Sequence, residues 1–217
     1  MAIDTPHPAR WERRKESRPQ ELAAAALELF VERGFAATRL EDIAARAGVS
    51  KGTLYLYFDS KDALFKEVVR AGIVPALAEA EETAAGFEGS TAELLRRFVQ
   101  RWWTLIGVSP VGGIPKLILS EARNFPELAR FYHDEVIVRG KGLLRQTIAR
   151  GIAQGEFRQC DPRIATEALI GPMLLTVLWK HSFGMCVAQE LDPQEALIGA
   201  VDIVLAGLRK DPDIRHD

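Results

Sequence analysis

The stretch that decides the fold is TRLEDIAARAGVSKGTLYLYFDSKDAL, residues 38–64. It predicts two short helices joined by a tight turn, with a third helix directly behind them. Thr38 and Glu41 have the spacing of a capping box, which predicts the start of the first helix. Gly48 suits the left-handed residue that ends this helix, and Ser50 is a strong N-cap for the next one. Two helices across a short turn that contains glycine are the signature of a helix-turn-helix.

The second predicted helix begins with small and polar residues and continues with aromatic ones. In a helix-turn-helix this helix enters the major groove, and its first residues face base edges. Free N–H groups at its start favour phosphate, a glycine lets the backbone approach DNA, and lysine, threonine and tyrosine side chains can reach bases or phosphates. The candidates are Ser50, Lys51, Gly52, Thr53, Tyr55 and Tyr57. For the two tyrosines the alternative is packing inside a three-helix core.

Residues 17–70 resemble the DNA-binding domain of the tetracycline-repressor (TetR) family of bacterial regulators. The resemblance rests on the motifs Asp42-Ile43-Ala44, Ala47-Gly48-Val49-Ser50, Gly52-Thr53-Leu54-Tyr55, Tyr57-Phe58 and Ser60-Lys61-Asp62-Ala63-Leu64. It implies a dimeric transcriptional regulator with operator contacts at Arg39, Lys51, Thr53, Tyr55, Tyr57 and Lys61. A weaker resemblance, through EARNFPELARFYHDEVI at 121–137, points to the C-terminal domains of some family members, several of them linked to efflux pumps.

The bulk composition restricts the class of protein. The 217 residues are 47% hydrophobic and carry a formal net charge of −2, which argues against a protein that is basic all over. Residues 10–18 hold five basic and two acidic side chains. We therefore expect residues 1–16 to form a mobile basic arm, either in contact with DNA or as a solvated tail. Two cysteines without metal-like spacing and the lack of an apolar leader predict a cytoplasmic protein without a disulfide scaffold.

Helical periodicity continues to the C-terminus and predicts an all-α protein of about nine helices. Residues 17–62 are expected to form the helix-turn-helix domain, and residues 63–210 a larger helical domain for effector binding and dimerisation. Pro75 should kink or split the helix that links the two domains. Ser90 and Glu93 have capping-box spacing again, at the start of a later helix.

The larger domain is rich in aromatic residues, as ligand pockets are. We expect a pocket for a small apolar or aromatic effector. Its predicted lining is Phe98, Trp102, Ile118, Glu121, Phe125, Tyr132, Met173 and Val177. Core packing is the alternative for each apolar residue, and an ion pair with an arginine is the alternative for the glutamate. The adjacent residues 133–135 diverge around a helix, so neither a metal site nor a cofactor is predicted.

The segment ALIGPMLLTVLW, residues 168–179, is apolar nearly all round, so the helix must be buried on all sides. Its apolar run is about half the length of a membrane span and a Gly-Pro pair interrupts it, so no membrane is expected. Together with the apolar last helix it predicts a homodimer, in agreement with the family's four-helix seam. The predicted interface is Gly171, Leu175, Leu178, His181, Leu197, Val201, Val204 and Leu205.

These features predict a DNA-binding transcriptional regulator. A repressor is expected that a small apolar or aromatic effector releases from a palindromic operator, with the linking helix as the lever. The alternative is an architectural or protein-partner-controlled regulator without a small-molecule ligand. The sequence contains no nucleophile elbow, phosphate loop, metal cluster or zinc-protease motif, so an enzyme is not expected.

Overall fold

The computed structural model describes residues 10–184, 186–187 and 191–210, with side chains from residue 18 onward. Within these ranges the chain forms eleven α-helices and no β-strand. They are α1 Arg10–Arg33, α2 Leu40–Arg46, α3 Lys51–Tyr55, α4 Lys61–Gly72, α5 Val74–Gly86, α6 Thr91–Trp102, α7 Gly113–Glu121, α8 Pro126–Tyr132, α9 Val138–Ala153, α10 Pro162–Ser182 and α11 Pro193–Leu208. The chain divides into two compact units, of which the first ends at Ala71 and the second begins at Gly72. The predicted all-α fold class is confirmed.

The predicted helical segments are all present, and the larger count arises because two of them are interrupted. The segment expected from Ser60 onward ends as α4 and resumes as α5, with Pro75 in the first turn of α5. Proline is tolerated in the first turn of a helix but not in its interior, so the chain restarts the helix here. A π-helical turn, His133–Ile137, divides the other segment into α8 and α9.

The N-terminal helix starts earlier than predicted. α1 begins at Arg10, so residues 10–16 are part of this helix, and the mobility expected for them stays a prediction. Most of these residues are Arg, Lys or Glu, which are strong helix formers, and Pro19 lies inside the helix rather than in its first turn. The rest of the predicted arm, residues 1–9, lies outside the described residues.

Three phenylalanine rings form the centre of the first unit. Phe30 of α1, Phe35 of the following loop and Phe65 of α4 are buried, with ring centroids between 5.2 and 5.9 Å apart. Tilted and edge-to-face pairs of this kind add to the free energy that burial of the rings supplies. The short helices α2 and α3 are therefore held between two longer helices that share one aromatic core.

The capping box predicted from Thr38 and Glu41 is wrong. The hydroxyl of Thr38 is buried and donates backwards, to the backbone carbonyl oxygens of Gly34 at 2.7 Å and Leu29 at 3.2 Å. α2 starts after Arg39 instead, without a side-chain cap. Thr38 thus fixes the loop between α1 and α2 rather than the start of α2.

Four helices surround the core of the second unit. α6, α9, α10 and α11 contribute one cluster of buried apolar side chains. A leucine or isoleucine from each helix is fully or almost fully buried, and these are Leu95, Ile148, Leu169 and Leu205. This core holds the inner face of α11 against its own chain.

The start of α6 is capped twice. The Ser90 hydroxyl oxygen accepts the backbone N–H of Glu93 at 3.2 Å, as predicted. The carboxylate of Glu156, far along the chain, accepts the N–H groups of Thr91 at 2.5 Å and Ala92 at 2.8 Å. A negative charge at a helix N-terminus is favourable, and the contact ties the loop after α9 to α6.

Three of the predicted interface residues belong to this core. Leu197, Val201 and Leu205 of α11 are almost completely buried by their own chain. They therefore have no surface left for a second copy, and their assignment to a dimer interface is corrected. The apolar residues of α11 lie on two sides of the helix. One side is buried in the core of its own chain, and the other is exposed.

His181 was also predicted to lie in the interface. Its Nε2 atom is buried without a hydrogen-bond partner and lies 3.1 Å from where a Cβ on Gly112 would be. Burial, and then the positive charges of Lys180 and Lys116, hold the pKa of His181 below its ordinary value. The residue as a whole is half-buried, so its assignment to the dimer interface stays a prediction.

None of the described helices is long and apolar enough by itself to cross a membrane. The helical stretches Thr91–Gly107 and Pro110–Glu121 pass such a test together by length and composition only, and they are bent by 96° at their junction.

Candidate functional site

The turn between α2 and α3 has the geometry that its sequence predicts. Gly48 has a φ of 66°, in the left-handed region that favours glycine, and the N–H of Val49 closes the helix end on the carbonyl oxygen of Ala44 at 2.9 Å. The Ser50 hydroxyl oxygen accepts the backbone N–H of Thr53 at 3.1 Å, so the predicted N-cap is confirmed. α3 is shorter than predicted, because its helical part ends at Tyr55.

Packing fixes which side of α3 faces outward. Leu54 is completely buried and Phe58 nearly so, which anchors the helix and the chain after it in the interior of the first unit. α2 is held to α1 by Arg46, whose guanidinium lies 2.8 Å from the carboxylate of Glu28 and 3.2 Å from that of Glu32. The two helices are thereby oriented by both apolar and ionic contacts.

The opposite side of α3 is the exposed surface on which the predicted DNA contacts lie. Lys51, Gly52 and Tyr55 are exposed, whereas Thr53 and Tyr57 are half-buried. Tyr55 has 44% of its surface exposed, which rules out the alternative that its ring packs in the core. Arg39 is also exposed, at the start of α2.

Lys51 is already engaged with an acidic neighbour. Its ammonium forms an ion pair with the carboxylate of Glu41, and this contact raises the pKa of Lys51 and lowers that of Glu41. The ammonium also lies 5.7 Å from the centre of the Tyr55 ring. Both partners are about half exposed, so the pair is weak and a phosphate can replace Glu41.

Lys61 differs from the prediction. Its ammonium donates to three backbone carbonyl oxygens, those of Phe35 at 2.6 Å, Thr38 at 2.9 Å and Ala36 at 3.2 Å. An ammonium has three N–H donors, so these contacts use all of them. The assignment of Lys61 to DNA contact is therefore corrected, since the side chain joins the start of α4 to the loop after α1.

The second unit contains a cavity of about 550 Å³. Its walls come from α5 to α10, and most of the lining is apolar or aromatic. Six of the eight residues that were predicted to line a pocket border this cavity. They are Phe98, Trp102, Ile118, Tyr132, Met173 and Val177.

The other two predicted lining residues lie elsewhere. Glu121, in the last turn of α7, is half-buried, and its carboxylate accepts a hydrogen bond from the side chain of Asn124 at 3.2 Å. Phe125 precedes α8 and does not border the cavity. α7 ends at Glu121 itself, and its side that borders the cavity is formed by Pro115, Ile118 and Leu119.

The largest omission of the sequence analysis is α5. This helix contributes Ala76, Leu77 and Ala80 to the cavity wall, yet none of the residues within its bounds is fully buried. A helix with an apolar stripe and no buried residue indicates that the stripe faces open space. The helical spacing of its apolar residues indicates an apolar face on this segment. The sequence analysis assigns the segment only to the linking helix and therefore does not predict that it lines the cavity.

The charged residues that border the cavity are exposed or partly exposed. Four of them are paired with one another, and the fifth, Arg97, is paired with Glu93 outside the lining. The guanidinium of Arg101 lies 2.7 Å from the carboxylate of Glu79, and the ammonium of Lys141 lies 2.5 Å from that of Glu167. All four side chains keep 41–61% of their surface exposed. They therefore form a polar rim around an apolar interior.

Comparison with known proteins agrees with this arrangement. Residues 22–68 match the family model described as bacterial regulatory proteins of the tetR family, and residues 88–184 match that of a tetracyclin repressor-like C-terminal domain. The HTH-type transcriptional repressor KstR2 of Mycolicibacterium smegmatis is 44% identical over 100% of both chains. KstR2 of Rhodococcus jostii is 29% identical over 94% of this chain and 97% of its own.

A solved structure shows the same fold. The regulator FadR from Bacillus subtilis, in complex with stearoyl-CoA, matches with a TM-score of 0.73 and 21% identity, over 88% of this chain and 99% of its own. The helix-turn-helix and the matched family models define a DNA-binding transcriptional regulator, as the sequence predicted. The chain belongs to the TetR family.

The contacts of Lys61 generate a stability prediction. Lys61→Met should lower the free energy of unfolding by about 1–3 kcal/mol, because carbonyl oxygens lose a charged hydrogen-bond donor in a partly buried loop. Urea unfolding monitored by circular dichroism measures the change. Lys51→Met is the matched control, and it should stay within about 0.5 kcal/mol of the wild type because its ion pair is exposed. Unchanged stability of Lys61→Met, with weaker DNA binding, would return Lys61 to the DNA contacts.

Proposed function

We propose that this protein is a dimeric repressor that leaves a palindromic operator when a small apolar or aromatic effector occupies the cavity of the second unit. The observation that carries the proposal is an apolar cavity of about 550 Å³ in a chain that also holds an exposed helix-turn-helix. Residues 17–62 act as the DNA-binding domain, and residues 63–210 as the effector-binding and dimerisation domain. α4 leads along the chain from the first into the second, so it is the lever between them.

The DNA-binding surface consists of the exposed residues at the turn and on α3. A Cβ atom added to Gly52 would have the Ser50 hydroxyl oxygen, at 3.8 Å, as its nearest neighbour. Packing within the subunit therefore does not require glycine at this position. A small residue at that point suits a close approach of the backbone to DNA. Basic and hydroxyl side chains surround it. The proposed contacts are Arg39, Ser50, Lys51, Gly52, Thr53, Tyr55 and Tyr57.

Two relatives support the regulatory part of the proposal. The KstR2 relatives are named as repressors, which favours repression over activation, and the FadR structure contains stearoyl-CoA, which makes acyl thioesters worth including in an effector screen. The presence of a cavity supports a ligand-gated regulator over an architectural or protein-partner-controlled one. We place the protein with the DNA in the cytoplasm and assign it no enzymatic activity, because its relatives are regulators.

The proposed dimer interface is the uncovered apolar face of α10 and α11. Ile164, Leu175 and Trp179 recur on one side of α10 and are 40–70% exposed, and Ile203 of α11 is 75% exposed. Gly171 lies on the same side of α10 with nothing within 4 Å of a would-be Cβ, so a partner helix can approach closely. Exposed apolar faces of this extent mark interaction sites. Leu178 and Val204 lie at the half-buried margin of this face.

DNA binding is tested with a duplex selected from a random-sequence pool. Lys51→Ala should weaken binding by about 1–3 kcal/mol per contact, and the logarithm of affinity should fall linearly with that of salt concentration. Glu41→Gln should bind as tightly as the wild type or up to about 1 kcal/mol more tightly, because Lys51 loses its competing partner. Fluorescence anisotropy gives the affinities, with the exposed Lys210→Ala as control. Wild-type affinity in Lys51→Ala would remove α3 from the interface.

The dimer is tested by placing a charge on each helix of the proposed face. Leu175→Glu and Ile203→Glu should each produce monomers, because an unpaired charge in an apolar interface costs about 3 kcal/mol or more. Sedimentation velocity measures the oligomeric state. Val138→Glu changes a similarly exposed valine on α9 and should remain dimeric. Dimers in both α10 and α11 variants would place the interface on another surface.

The effector role is tested by release of DNA. Aromatic acids, hydrophobic drugs and acyl thioesters are added to the preformed complex with the selected duplex, and anisotropy is followed. An effector should lower operator affinity about 5- to 150-fold, the usual range of coupling between sites. Met173→Trp fills the cavity, so it should bind DNA normally and lose the response. A response that persists in Met173→Trp would place the effector site outside the cavity.

A further inference from the structure

Tyr132 of α8 is the one deeply buried polar side chain among the described residues that border the cavity. It keeps 7% of its surface exposed, and within the described chain its hydroxyl group has no hydrogen-bond partner. Its oxygen is not among the fully buried polar atoms that lack a partner, so it keeps some surface accessible to water. A ligand that displaces this water has to supply the hydrogen bond, because an unpaired hydroxyl group in apolar surroundings costs free energy. The hydroxyl of Tyr132 is thus available to a molecule in the cavity.

The other polar side chains of the cavity wall are either exposed, only half-buried or already bonded within the chain. The charged residues form the exposed rim described above, and each of them is engaged in an ion pair. The hydroxyl of Thr83 is exposed and donates to the carbonyl oxygen of Glu79 at 2.8 Å. Trp102 has an indole donor but is only half-buried. A ligand that passes the rim therefore meets an apolar interior in which Tyr132 supplies the buried hydrogen-bonding group.

The chemistry of Tyr132 restricts what that ligand carries. Burial raises the pKa of the phenol far above its ordinary value, so the hydroxyl stays neutral and can donate at physiological pH. A neutral donor in an apolar interior suits an uncharged oxygen acceptor. An isolated carboxylate would suffer a large desolvation penalty there, and a pure hydrocarbon would leave the hydroxyl unpaired.

We propose that the Tyr132 hydroxyl selects effectors whose apolar body carries an uncharged oxygen acceptor, such as a ketone carbonyl, at the point that enters the interior. This assignment rests on the proposed function, because it takes the cavity as the effector site. It adds a specificity-determining residue and the chemical class of the group that this residue recognises.

The test uses two fluorescent probes with the same carbon skeleton, acetylpyrene and ethylpyrene, which differ by a carbonyl oxygen. Titration of the full-length protein should show tighter binding of acetylpyrene. Tyr132→Phe keeps the ring and removes the hydroxyl, so acetylpyrene should lose about two- to tenfold in affinity while ethylpyrene keeps or gains affinity. Thr104→Val, which removes an exposed hydroxyl group outside the cavity lining, should change neither affinity.

The outcomes separate this inference from the proposed function. Weaker binding of both probes to Met173→Trp places them in the cavity. If both probes bind there and Tyr132→Phe leaves their affinities unchanged, Tyr132 does not select the ligand, although the cavity remains an effector site. Equal affinity of the wild type for the two probes, a comparison that needs no variant, overturns the inference as well. If neither probe binds, the cavity does not take apolar molecules, and both the inference and the effector role are wrong.

Discussion

Apolar surface that a single chain leaves uncovered is the constraint on which the second unit depends. Water disfavours such surface, so something must cover it. It occurs in two places, inside the cavity between α5 and α10 and outside on α10 and α11. In the first place the apolar side chains of α5 are only partly buried, and a ligand in the cavity would add dispersion contacts to them. In the second, the proposed partner subunit of the same sequence would supply the missing apolar face.

The first unit has a different constraint, because α3, the helix that carries the proposed DNA contacts, is too short to be stable alone. A helix the length of α3 does not form in water without tertiary contacts. Here Ser50 caps its start, while the buried side chains of Leu54 and Phe58 anchor it in the interior of the unit. Because these contacts use one side of α3, the other side is free to carry residues chosen for DNA. Stability and recognition are thus divided between two faces of a single short helix.

The features that the sequence predicted correctly are those set by neighbours in the chain. The Ser50 cap, the left-handed Gly48 and the break at Pro75 depend on backbone geometry within a few residues. The sequence-based predictions are wrong where a side chain contacts a segment that is distant in the sequence. Thr38 bonds to the end of α1 instead of capping α2, and Lys61 reaches carbonyl groups more than twenty residues away.

The same distinction holds for the second unit. Helical spacing showed that α11 is apolar, but it did not tell which apolar side faces the chain's own core, so Leu197 was assigned to the wrong surface. The high content of aromatic residues predicted a pocket, and most of the residues predicted to line it do border the cavity. The contribution of α5 was not predicted, because it depends on the packing of this helix against α6 and α9. Residue type and spacing predict which faces are apolar, and only the tertiary structure shows what each face meets.

The central claim is that occupation of the cavity and binding of DNA are coupled in one chain. The most direct measurement is a closed thermodynamic cycle with one effector: operator affinity with and without the effector, and effector affinity with and without the operator duplex. Coupling requires that the two ratios be equal and differ from one, because linkage between two sites is reciprocal. We expect a common factor of about 5 to 150 in the direction of mutual weakening. An effector that binds in the cavity with the same affinity whether or not the operator is bound would contradict the claim.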